Sequence, residues 1–178
     1  MKFLGRFPIP MSIFIIACFA VSLWTVTHYF ENTIRPLQEQ ARRAHIEGEI
    51  KAADSLLKRK RYDTAAQEYR FILDAYDNEL LKQDKGDLHD AMGLSHFGLS
   101  TRQDQEKNLK LAIEDFQEAL TYRTTNSSPE LYGTTWKHLG RAYENLAIHR
   151  KSEDDFAAAI DAYQKVLSVQ QGDTNPEG

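Results

Sequence analysis

The chain opens with an uncharged apolar stretch and then alternates apolar and polar positions at helical spacing. From Phe7 to Phe30 there is no Asp, Glu, Lys or Arg. The part that starts at Met11 would span about 30 Å as a helix, which is the thickness of a bilayer core. We therefore expect a transmembrane helix at about residues 9–30, within an N-terminal anchor of residues 1–35. A lipid bilayer would then be one binding partner.

The charges on either side of this stretch predict its orientation. Lys2 and Arg6 make the leading segment purely cationic, whereas the segment after the stretch mixes Arg35 and Arg42 with Glu31. The positive-inside rule favours a cytoplasmic N-terminus under these conditions. This predicts a single-pass protein of a bacterial inner membrane, with a cytoplasmic stub and a periplasmic body.

Two alternatives for the N-terminal stretch stay open. The sequence Ile15–Cys18 resembles a lipoprotein processing site, which would make Cys18 a lipidated N-terminus. Against this, the residues from Phe19 to Val26 remain apolar, where mature lipoproteins usually become polar. A cleaved secretory signal is less favoured, because the apolar run is long and lacks a small-x-small cleavage site. Cys18 is the single cysteine, so no intramolecular disulfide is possible.

Beyond the anchor, a pattern of small and large apolar residues recurs at a spacing of 47 residues. Gly93 is repeated by Gly140, and Phe116 by Tyr163. One further step towards the N-terminus places Tyr69 in the position of Phe116. The pattern predicts three copies of one structural unit. They cover about residues 44–78, 86–123 and 129–171.

The third copy carries the most specific motif. Residues 136–143 read W-x2-L-G-x2-Y, and residues 156–166 read F-x2-A-x3-Y-x2-V. These two halves resemble the first and second helices of a tetratricopeptide repeat. The spacing of 47 residues exceeds the usual unit of about 34 and is similar to long-repeat variants of that family.

The resemblance implies an all-α fold in which the transmembrane helix is followed by an α-solenoid of three antiparallel helix pairs. The repeat domain would occupy residues 36–171, and residues 172–178 would form a disordered tail. Turns between repeats are expected at Lys85–Asp87 and at Thr124–Pro129, where glycine, proline and short polar residues cluster.

The resemblance also implies a binding face, since the first helix of each pair lines the concave side of such solenoids. The inward-facing positions carried over from the family are Glu47, Ile50, Asp54, Leu57, Asp87, Asp90, Leu94, Phe97, Thr134, Lys137, Arg141 and Glu144. The face would change from acidic through apolar to partly basic, which fits an amphipathic segment with its basic end at the first repeat. A C-terminal carboxylate fits poorly, because repeats one and two lack the Lys, Asn and Arg clamp of chaperone-type members. The alternative for each residue is a solvated face or ordinary helix packing.

Composition and motifs argue against other function classes. The body is acidic, and the single short basic run, Lys58–Arg61, falls at an expected helix end, so no nucleic-acid surface is predicted. HExxH, phosphate-binding and GxSxG motifs are absent, so we expect no catalytic residues, metal site or cofactor. His89 and His96 lie seven residues apart, but His96 aligns with Tyr143 and is expected to serve packing.

These observations predict a non-catalytic, membrane-anchored adaptor or scaffold that binds a partner protein or peptide and helps to assemble or stabilise a membrane-associated complex. The alternative is a permanent accessory subunit of a multi-subunit membrane complex. The stack lacks a polar capping helix after Leu167 and Val169, so a second copy or a partner subunit is expected to cover its end.

Overall fold

The computed structural model describes residues 11–170, with side chains described from residue 15 to residue 169. This part of the chain is helical apart from short turns and contains no β-strand. The predicted N-terminal stub and C-terminal tail lie outside the described residues. The helices are α1 (Met11–Tyr29), α2 (Arg35–Lys58), α3 (Tyr62–Ala75), α4 (Lys82–Ser100), α5 (Gln105–Tyr122), α6 (Pro129–Arg150) and α7 (Glu153–Gln170), with a π-helical turn at Phe30–Ile34. The prediction of an all-α fold is confirmed.

Two compact units divide the chain, Met1–His45 and Ile46–Gly178. In the described residues of the first unit, the predicted transmembrane helix is wrong. No helix of the described region is both long enough and apolar enough to cross a bilayer. The second half of α1 carries Ser22, Thr25 and Thr27, whose hydroxyl groups donate to backbone carbonyls of the same helix. These polar residues shorten the apolar run, and the predicted single-pass inner-membrane localisation is wrong with it.

The second unit is built from helices that pack on one another in chain order. A first core cluster surrounds Tyr69 and Ile72 of α3 and includes Ala53 from α2 and Leu88 from α4. A second cluster surrounds Phe116 of α5 and draws residues from α6 and α7. Burial of these side chains supplies most of the stabilisation that such helices need. This arrangement is consistent with an α-solenoid of three helix pairs.

The spacing of 47 residues corresponds to one packing contact that occurs twice. A Cβ built on Gly93 would lie 2.6 Å from the ring of Phe116, and a Cβ built on Gly140 would lie 2.8 Å from the ring of Tyr163. Contacts this short require glycine, because any side chain would displace the ring. Each glycine therefore lets the first helix of a pair approach an aromatic residue of the second. The tetratricopeptide assignment itself stays a prediction.

The turns within the pairs also share one feature. Lys60, Asp104 and Lys151 adopt the left-handed conformation, with φ of 60°, 44° and 55°. Each of them lies in the short connection between the two helices of a pair. A single left-handed residue is a common way to end a helix and reverse the chain. Lys60 and Lys151 closely follow the first helix of their pairs, whereas Asp104 directly precedes α5, so the three turns share a left-handed residue but not its position.

One predicted turn is wrong. Residues 85–87 lie inside α4, and the connection between the first two pairs lies earlier, between Ala75 and Lys82. Gly86 is buried, and a Cβ built on it would lie 3.1 Å from Cγ of Arg123. This glycine marks a close approach between α4 and the end of α5 and not a change of chain direction.

Candidate functional site

The face formed by α4 and α6 contains the closest meeting of predicted site residues. The guanidinium carbon of Arg141 on α6 lies 5.2 Å from the centre of the Phe97 ring on α4. Phe97 and its neighbour Leu94 are half-buried and pack against the second core cluster. A cation over an aromatic face at an exposed site contributes about 0.5–1 kcal/mol. Because this contact is weak, Phe97 and Leu94 remain open to another molecule. We call these two residues the Phe97 strip.

The other predicted residues of α6 flank this strip. Thr134 is exposed, and its hydroxyl donates to the backbone carbonyl of Glu130 in the same helix. Lys137 and Arg141 are exposed and lie one turn apart on α6, and Arg141 lies over the Phe97 ring. Their exposure makes these charges available to acidic groups of another molecule.

Glu144 has a partner within the chain. Its carboxylate accepts a hydrogen bond of 2.8 Å from the hydroxyl of Tyr163 on α7. Burial and this bond to Glu144 raise the pKa of Tyr163 to about 12. Glu144 remains exposed, so the bond fastens α6 to α7 at the edge of the face.

Asp90 was predicted to face a partner, but it is buried and bonded within the protein. Its Oδ1 lies 3.0 Å from Oγ1 of Thr135, 3.1 Å from Nδ1 of His138 and 3.3 Å from Nη1 of Arg123. Asp87, one turn earlier, accepts a bond of 2.6 Å from Nη2 of Arg123. Buried charges are tolerated when they are paired and hydrogen-bonded in this way. The network joins α4, the end of α5 and α6.

Sequence reasoning missed three members of this network, namely Arg123, Thr135 and His138. Arg123 is buried, donates to Thr135 and Asp87, forms an ion pair with Asp90, and keeps its Nε without a partner among the described residues. The available signal was weak, because Arg123 directly precedes a predicted turn and looks like an exposed basic residue there. The side chain of Arg123 passes close to Gly86, which leaves room for it because it has no side chain.

The predicted residues of α2 serve mainly in packing. Ile50 and Leu57 are half-buried against the first core cluster. Asp54 accepts a hydrogen bond of 2.7 Å from the hydroxyl of Tyr69, and burial together with this bond raises the pKa of Tyr69. Glu47 is exposed, and its carboxylate lies 4.0 Å from Nζ of Lys51. Of these four residues of α2, only Glu47 is exposed.

The two histidines of α4 lie towards α5, and His89 also borders a cleft that residues of α3 line. His96 is buried, and its Nδ1 lies 2.6 Å from Oδ2 of Asp115 on α5. His89 stacks on Tyr122 with ring centres 5.8 Å apart. Burial lowers the pKa of His89, while the nearby Glu118 and Asp115 act against that shift.

Within the described part of the chain, no three His, Cys, Asp or Glu side chains converge as metal ligands would. Comparisons with protein-family models, with curated proteins and with solved structures found no significant match.

Proposed function

We propose that this chain is a non-catalytic helical-repeat protein that binds a segment of a partner protein along the face of α4 and α6, and so helps to assemble or hold a protein complex. The resemblance of its repeated pattern to tetratricopeptide repeats supports this, since such repeats bind peptides with the first helices of each pair.

The observation that carries the proposal is the Phe97 strip with its cationic border. Phe97 and Leu94 offer apolar surface, Arg141 places a positive charge over the Phe97 ring, and the exposed Lys137 lies one turn from Arg141 on α6. An amphipathic segment fits this chemistry when an apolar side chain covers Phe97 and a neighbouring carboxylate meets Arg141. Asp54 and Asp90 are bonded internally, and the half-exposed Asp87 is bonded to Arg123, so the acidic end of the face is reduced mainly to Glu47.

A photo-crosslinking amino acid placed at position 97 tests this in native cells, with the same group at Phe71 as a control. Phe71 is an exposed aromatic residue on α3, which contributes no residue to the proposed binding face. We expect a discrete crosslinked partner at position 97, identified by mass spectrometry, and none of that mass at position 71.

The charge requirement is tested in the same experiment. Arg141→Glu should abolish the crosslink at position 97, whereas Lys82→Glu, which reverses an exposed charge at the start of α4, should leave it. The proposal is wrong if position 97 gives no specific product, or if both reversals act alike.

A second candidate, a permanent subunit of a larger assembly, is favoured by the outer face of α7. Phe156, Ile160 and Leu167 share one face of this last helix, and 42%, 58% and 54% of their surfaces are exposed. An apolar stripe of this kind usually marks a covered surface.

Light scattering of the purified protein tests whether this face of α7 is covered in a larger assembly. A dimer that Ile160→Glu dissociates identifies a second copy as the cover, and a monomer both when purified and in cell extracts contradicts the subunit proposal.

A further inference from the structure

A cleft runs between α3 and α5 of the second unit, and none of its lining residues belongs to the Phe97 strip. It encloses about 590 Å³, has α3 and α5 as walls and has His89 and Met92 of α4 on its floor. A second hollow of about 250 Å³ continues it past His96, since Arg70 and Leu111 line both. Volumes of this size accommodate one or two amino-acid side chains.

Histidines line the cleft and its continuation at positions where the third repeat has larger aromatic residues. A shift of 47 residues aligns His89 with Trp136 and His96 with Tyr143. Trp136 and Tyr143 both pack against the second core cluster, and Tyr143 also accepts a bond of 3.0 Å from Gln117 on α5. The smaller imidazole rings leave volume that an indole and a phenol would take up.

The walls of the cleft carry an excess of negative charge. Asp77 pairs with Lys85, and Asp115 pairs with His96. Three further carboxylates line the cleft without an ion pair in the described structure, and only one further cation, Arg70, does so. These carboxylates belong to Asp74, Glu114 and Glu118.

Hydrogen-bonding groups and apolar surface are arranged around these charges. Glu114 and Glu118 lie one turn apart on α5, and the Tyr122 ring continues the same row. Nδ1 of His89 is buried and has no hydrogen-bond partner in the described region. Leu111 and Met92 add apolar surface below the carboxylates.

We propose that this cleft binds an arginine side chain from a basic segment of a partner protein. A planar guanidinium offers five donors, which suit two carboxylates one turn apart, and its flat face suits the stacked pair of His89 and Tyr122 that lines the cleft. The methylene groups of the arginine stem pack on Leu111 and Met92. Lysine fits less well, because an ammonium is a compact, strongly hydrated charge that cannot make the paired contacts. The site is separate from the Phe97 strip.

Fluorescence anisotropy with a labelled hexa-arginine peptide tests this binding on the full chain, with hexalysine as the comparison. We expect hexa-arginine to bind at least several-fold more tightly than hexalysine at equal ionic strength. Glu114→Gln with Glu118→Gln should weaken hexa-arginine binding about tenfold, as expected for loss of charge-assisted hydrogen bonds. The matched control, Glu153→Gln with Asp161→Asn on α7, removes the same charge and should change the affinity less than about twofold.

A second variant separates the shape of the cleft from its charge. His89→Trp restores the aromatic residue of the third repeat and leaves every carboxylate in place, so it should also weaken binding about tenfold by filling the cleft. If thermal melting shows that the tryptophan variant is unfolded, His89→Phe is used in the same experiment.

Two results would overturn the proposal: equal loss in the α7 control, which indicates general electrostatic attraction, or unchanged binding when the cleft is filled. Phe97→Glu should leave hexa-arginine binding unchanged. Failure of the α4 and α6 face is therefore distinguishable from failure of the cleft.

Discussion

The ring of Tyr163 lies directly against Gly140, so closely that a Cβ on Gly140 would be 2.8 Å from Cε1 of Tyr163. The same relation holds one repeat earlier between Gly93 and Phe116, at 2.6 Å. Because Phe116 is fully buried while Tyr163 is half-buried, the two contacts differ in how far the ring can give way. Glycine is therefore required more strictly at position 93 than at position 140.

We expect Gly93→Ala to lower the free energy of unfolding by about 1–3 kcal/mol, because the methyl group would overpack a ring that cannot move. Gly140→Ala should cost less, since Tyr163 has solvent on one side. Urea denaturation followed by circular dichroism measures both. Gly48→Ala on α2 is the matched control, because no atom lies within 4 Å of its added Cβ. It should stabilise the helix by roughly 0.5–1 kcal/mol. A Gly93→Ala variant as stable as the parent would contradict this interpretation.

Patterns of small and aromatic residues were enough to predict the helix pairs, because each pattern reports a contact between neighbouring helices. The glycine at position 86 misled the same reasoning, since glycine marks both turns and close approaches, and a sequence does not tell which. The transmembrane prediction was wrong because it rested on the absence of charge in the N-terminal stretch and not on the hydroxyl groups of Ser22, Thr25 and Thr27. Those residues are uncharged but polar.

The candidate site was harder to predict than the fold. Helical spacing places Asp54 and Asp90 on the expected face, but it carries no information on which long-range partner each carboxylate meets. Tyr69 satisfies Asp54, and Arg123, which is drawn in from the end of α5, satisfies Asp90. The residues that remain available, Phe97 and Arg141, were identified, while their mutual contact depends on the packing of α4 on α6.

The two aspartates that share Arg123 provide a matched pair of substitutions. Asp90→Ala should cost about 3–5 kcal/mol, because it removes the buried counter-charge of the Arg123 guanidinium and the hydrogen-bond partner of Thr135 and His138. Asp87→Ala should cost at most about 1 kcal/mol, since 48% of the Asp87 side chain is exposed and water can replace it. Chemical denaturation measures both values. Equal effects of the two substitutions would show that the buried network does not hold α4 to α6.

The hydrogen bond between Asp54 and Tyr69 allows a test of whether Asp54 serves packing or partner binding. Asp54→Ala removes the acceptor of a buried phenol hydroxyl and should lower stability by about 1–3 kcal/mol. Tyr69→Phe should cost less, because the half-buried carboxylate of Asp54 can be hydrated instead. If Asp54 serves packing as described, Asp54→Ala leaves the crosslink at position 97 intact. Loss of that crosslink in a folded variant would return Asp54 to the binding face.

His89 links the stability of the second unit to pH. Burial lowers its pKa below the ordinary 6.5, although Glu118 and Asp115 favour the charged form and Lys85 and Arg70 oppose it. The unfolded chain therefore takes up the proton first as the pH falls. The contribution of His89 to stability is fully present above about pH 6.5 and is lost as the pH falls below that value.

We therefore expect the free energy of unfolding to decrease between pH 7 and pH 5 more steeply in the parent protein than in His89→Gln, whose side chain does not titrate. Denaturation series at several pH values measure the two slopes, and pH 8, where the imidazole is neutral in both states, provides the common reference. The comparison isolates His89 because the carboxylates around it are present in both proteins. Parallel slopes would mean that His89 is as easily protonated in the fold as in the unfolded chain, and a shallower slope in the parent would mean that the acids of the cleft outweigh its burial.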